Sequence, residues 1–95
     1  MNETNESRVI RANDAKVLLE NKILQESFKA VGEHIDRVAL SCDPDNKERA
    51  QRIILSKQIL ASIIREIERV IEDGEMAQVQ ISEIEKRSAL RIFRR

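Results

Sequence analysis

The sequence has no tryptophan, no tyrosine and only two phenylalanines. Any core built from it must be aliphatic, which suits helix packing. The aromatic platforms on which single-stranded nucleic acid stacks are missing. There is one cysteine, so no disulfide framework forms within the chain and a reducing compartment suits it. No apolar run approaches the roughly 18 residues of a membrane-spanning helix. The opening stretch MNETNESR is polar and acidic and has no apolar core of a signal peptide. Lys and Arg total 17 and so do Asp and Glu, so no net field steers the chain towards DNA or acidic lipid. No Gly-rich phosphate loop, paired His-Glu motif or nucleophile elbow is present, and neither an enzyme nor a cofactor or metal site is expected. The expectation is a soluble intracellular protein, or a particle component assembled in the cytoplasm.

What is present is aliphatic and charged residues in helical order. At 95 residues the chain is one small domain, with room to bury about 60–65% of its unfolded surface. The dominant stretch is Asn46 to Asp73. On a wheel of 3.6 residues per turn, Ile53, Ile64 and Ile71 fall nearly on one line. Leu60 and Ile67, then Ile59, Ile63 and Val70, lie to one side, with Ile54, Ala50 and Ala61 on the other. The arc is roughly 220°, where a surface helix needs little more than about 100°. Two readings are open: a central helix inside an intramolecular bundle, or a helix that turns part of its face to another chain. The remaining helices look too few and too narrow to cover it. Ile59, Ile63, Ile67 and Val70 are therefore the expected oligomer interface, and a charge at Ile63 should disturb assembly more than one at Lys57.

Before this helix, residues 1–12 carry Asn, Glu, Ser and Arg with little apolar content and read as a flexible arm. Asn13 or Asp14 can cap a short helix through Ala15, Val17, Leu18 and Leu19, which Asn21 either interrupts or follows as the next cap. From Lys22, Leu24, Phe28, Val31, Ile35, Val38 and Cys42 alternate steps of four and three along a narrow heptad seam. Glu33 and Arg37 have the spacing of an i,i+4 pair on the outer face. Gly32 marks either a close helix approach or a tolerated surface glycine. Ser41 to Asn46 is the clearest break. It is read either as an Asp43 cap with Pro44 in the first turn, or as a capping box of Asp45 with Glu48. The short turn, at about 42–46, makes residues 13–74 an antiparallel helical hairpin. Gly74 reads as the left-handed terminator of the second arm, whose far end projects unless the short N-terminal helix covers it. Residues 75–95 then form a short helix over about 77–88 and a tail. The expected fold is all-α: hairpin, short N-terminal helix, and short C-terminal helix with tail, packed in an oligomer.

Chemistry is sparse. His34 lies off the seam and reads as a surface histidine. Cys42 continues the seam as a small buried residue. Glu66, Glu68, Glu72 and Asp73 flank Arg65 and Arg69, and Arg69 with Asp73 has i,i+4 spacing, so an ion-paired solvated face is favoured over a carboxylate metal site. The tail Leu90, Arg91, Ile92, Phe93, Arg94 and Arg95 is both apolar and basic. It reads in three ways: as an anchor docking on a partner protein, as cations placed at a helix C-terminus, or as a salt-sensitive phosphate contact.

The runs Leu18-Leu19-Glu20-Asn21, Leu24-Gln25-Glu26-Ser27 and Gly74-Glu75-Met76-Ala77 resemble small helical proteins encoded among the head and packaging genes of tailed bacteriophages. The similarity covers about residues 14–80. Lys22 stands where that pattern has proline after the Asn, and its tryptophan in the first arm is absent. The resemblance implies a role in the phage particle or its assembly, with no catalytic residues to carry over. Its expected location is the virion, or the host cytoplasm during assembly. The expected partners are further copies of the chain and larger capsid, portal or tail proteins. The alternative is a packaging accessory or small regulator that meets nucleic acid through the basic tail.

Overall fold

The computed structural model describes residues 4–93, with side chains through Arg91. Three helices follow in order: α1 over Asn5–Glu20, α2 over Lys22–Leu40 and α3 over Lys47–Phe93. Among the described residues there is no strand.

In place of the arm expected over 1–12, helix begins at Asn5. Thr4 caps it, its hydroxyl oxygen accepting from the Ser7 amide at 3.1 Å. The composition of 5–12 is that of a mobile segment. Tertiary contacts made by Arg8 and Ala12 supply what local composition lacks. Asn21 both ends α1 and starts α2. Its amide donates to the Leu18 carbonyl and its side chain accepts from the Leu24 amide, 3.0 Å away. The Gln25 side-chain amide reaches back to the Leu19 carbonyl at 2.6 Å, which satisfies an acceptor left over at the end of α1.

The break before α3 lies where expected, but its chemistry differs. Asp43 holds the turn, its carboxylate accepting from the Asp45 amide and its carbonyl from the Asn46 amide, both at 2.9 Å. The cap of α3 is Asn46, whose side-chain oxygen accepts from the Arg49 amide at 3.2 Å. Pro44 therefore sits in the turn, not in the first helical turn. Glu48 makes no capping box and pairs with Arg52 at 2.7 Å.

The largest departure is at Gly74. No glycine among the described residues has a positive φ, and α3 runs straight through this position to Phe93. The separate short helix expected near 77–88 is the continuation of α3. Gly74 is glycine for a reason of space. A Cβ there would overlap the Ala12 methyl and lie 3.0 Å from the Arg8 carbonyl oxygen.

The chain divides into two compact units, one of residues 1–17 with 68–95, the other of 18–67. In the first, small residues do the packing: Ala12 and Ala15 of α1 and Gly74 and Ala77 of α3 are buried, Ala77 completely. Such residues let two helix backbones approach closely, but each methyl removes little apolar area from water. Of the two outcomes left open for the far end of the long helix, α1 covers its length near Asp73 to Gln80. In the second unit, Ile53 is the most buried side chain, 9% exposed. Asp36 pairs with Lys57 at 2.9 Å, and Leu60 comes within 3.8 Å of where a Gly32 Cβ would stand. Leu24, Phe28, Ile35, Val38 and Cys42 of the expected seam are half-buried, while Val31 is exposed. Glu33 pairs with Lys29, at 4.0 Å, and not with Arg37.

Candidate interaction surfaces

The residues expected at an oligomer interface divide between the two units. Ile59 and Ile63 are 53% and 48% exposed, and Ile67 is half-buried beside them. Val70 is also half-buried, but belongs to the unit that contains α1. A shallow groove runs along α3 between Ile59, Ser62, Ile63, Glu66 and Ile67. Leu55, exposed, extends the same i,i+4 row by one turn. Ser62 is turned inward on its own helix, donating to the Gln58 carbonyl at 2.7 Å. It thus presents little polarity to the groove.

The tail is reached only in part. Leu90 and Arg91 are exposed on α3. Ile92 and Phe93 complete its backbone, but their side chains, with Arg94 and Arg95, lie outside the described residues.

The most organised polar site is one that the spacing of residues did not reveal. Arg8 of α1 grips Asp73 of α3 with two bonds, Nε to Oδ2 at 3.0 Å and a terminal nitrogen to Oδ1 at 2.8 Å. The same guanidinium reaches Asn5 at 3.0 Å and the Gln80 side-chain oxygen at 3.2 Å. A planar fork of five donors is the group that can serve all of these at once, and lysine is not. The Arg8 hydrogen bonds hold the Asp73 carboxyl below the usual carboxylate range, with the charges of Arg8, Arg69 and Arg11 adding to the effect and partial burial opposing it. Arg69, four residues before Asp73, adds its charge to the same carboxylate, which Arg8 binds from 65 residues earlier in the chain.

His34 is exposed, as expected, and stands at the rim of a groove with Arg49, Arg52 and Ser56 over Ile35, Val38 and Ile53. Cys42 is half-buried, with its thiol 3.5 Å from the Asp43 carbonyl oxygen. Among the described residues no three His, Cys, Asp or Glu side chains converge as metal ligands would, and no helix is long and apolar enough to cross a membrane. Comparison with protein-family models, with curated proteins and with solved structures yields no match.

Proposed function

We propose that this is a non-catalytic assembly protein in which residues 18–67 form a helical hairpin that self-associates through α3. The hairpin reading draws on the order of contacts. Stepping back from Asp36 to Gly32 on α2 corresponds to stepping forward from Lys57 to Leu60 on α3. The self-association reading rests on one observation: Leu55, Ile59 and Ile63 form an exposed aliphatic row with a groove beside it. Each of the three is about half covered already, so burying the remainder would supply roughly half of the about 1.5–3 kcal/mol that full burial of such a side chain gives.

The row, with charged ends to the chain, suits a component of a larger particle that meets both its own copies and bigger capsid, portal or tail proteins. Sedimentation over a concentration range tests the self-association. Ile63→Glu should shift the protein towards monomer, while Gln58→Glu, a charge on an exposed position off the row, should leave its mass unchanged. Lys57 is a poorer control than its sequence position suggests, because its substitution also breaks the pair with Asp36. If both variants associate like the parent, this row is not the interface.

A further inference from the structure

The C-terminal third of α3 carries a second surface, independent of the Ile63 row. From Ser82 to Arg91 every residue is exposed. Along this part of the helix Met76, Val79, Glu83, Lys86 and Leu90 alternate steps of three and four, which is a heptad seam. At about 100° per residue, the seam lies on the side of α3 opposite Gly74 and Ala77, the positions packed on α1. Met76, Val79 and Leu90 are exposed large apolar residues. Glu83 and Lys86 are exposed, and neither has an ion-pair partner among the described residues.

The order along the seam is apolar, apolar, acid, base, apolar, and its central four positions are self-complementary when reversed. Turn one copy end for end against another, with the two-fold axis between Ile84 and Glu85. Val79 of each copy then faces Leu90 of the other, and Glu83 of each faces Lys86 of the other. Each layer occurs twice, and Met76 falls opposite position 93. The flanks raise no conflict, since Gln80 meets Arg87 and Ser82 meets Ala89. A parallel alignment of the same seam sets Glu83 on Glu83 and Lys86 on Lys86, and like charges brought together at an interface oppose association. Charge therefore selects both the partner and its direction. The geometry points to an antiparallel contact between two copies of this chain along Met76, Val79, Glu83, Lys86 and Leu90. The apolar layers supply the attraction, and the central charged layers fix register and orientation at some cost in strength.

The test uses the full-length chain with Ile63→Glu as background, which takes the first row out of play. Sedimentation equilibrium gives the dimer constant, and circular dichroism confirms that helicity is kept. Glu83→Lys and Lys86→Glu, made singly, should each weaken dimerisation at least about tenfold, because two attractive layers become two repulsive ones. The double variant Glu83→Lys with Lys86→Glu restores both layers and should dimerise like its parent. An equimolar mixture of the two single variants should form a mixed dimer, since all-basic and all-acidic layers then face each other. A misfolded helix end cannot give that pattern of loss and rescue. The inference is overturned if the Ile63→Glu chain is monomeric at every concentration, if the single variants dimerise like it, or if the double variant and the mixture show no recovery. If Ile63→Glu itself changes nothing, the first row is refuted, while the charge pattern still decides the second.

Discussion

The two glycines of this chain look alike in sequence, and their surroundings separate them. Gly32 has one neighbour at ordinary contact distance, the Leu60 methyl at 3.8 Å from an added Cβ, so the site has room for a methyl group. Gly32→Ala should raise stability by about 0.4–1 kcal/mol, through helix propensity and a less free unfolded chain. At Gly74 the same methyl would overlap Ala12, and neither backbone can move away without parting α1 from α3. Overpacking of that kind costs about 1–3 kcal/mol and outweighs the gain in propensity. Gly74→Ala should therefore lower the melting temperature by several degrees. Thermal melts of the two variants check both signs, and a stabilised Gly74→Ala would show that the close crossing is not what holds α1. Sequence position alone favoured a terminator at Gly74, because Asp-Gly after a long amphipathic run is a stop signal. Nothing local reveals that residue 12 lies against it.

At the scale of elements, a crossing of small residues and the Arg8–Asp73 fork both join α1 to α3. Because Asp73 has a lowered folded-state pKa, its contribution is complete above the ordinary carboxylate range. It is lost as the pH falls through that lowered value, once the carboxyl takes up a proton and the fork loses its acceptor. Melting temperatures measured from neutral pH into acid should fall more steeply for the parent than for Asp73→Asn, which has no carboxyl to titrate there. Parallel curves would remove this pair from the acid response. Helix over residues 5–12 is not legible in composition for the same reason: there Arg8 meets a partner 65 residues away. The break at 41–46 was legible because turn chemistry is local, although the capping residue turned out to be Asn46 and not Asp43 or Asp45.

At the scale of the whole molecule, a chain with 41% hydrophobic residues leaves no large side chain fully buried among the described residues. Aliphatic side chains are spread over rows on three helices, and many of them stay exposed in each unit. Two separate rows on α3, one around Ile63 and one from Met76 to Leu90, would let a copy bind more than one neighbour if both proposed contacts form. If the resemblance to phage head and packaging proteins reflects common work, the chain should be found by mass spectrometry in purified particles or in their assembly intermediates. Particles lacking it at both stages would leave self-association without that setting.

The sequence by itself determined the helical class, the seam of α2, the break between α2 and α3, and the excess of aliphatic residues around Ile59 and Ile63. Each of these is written in periods of three and four residues or in the chemistry of a short turn. Only the tertiary structure decided that α1 starts at Asn5, that α3 passes through Gly74 without stopping, and that Arg8 grips Asp73. The physical reason is common to all three. A methyl-sized gap and a guanidinium fork exist only once residues far apart in the chain have met, and no local pattern records that meeting.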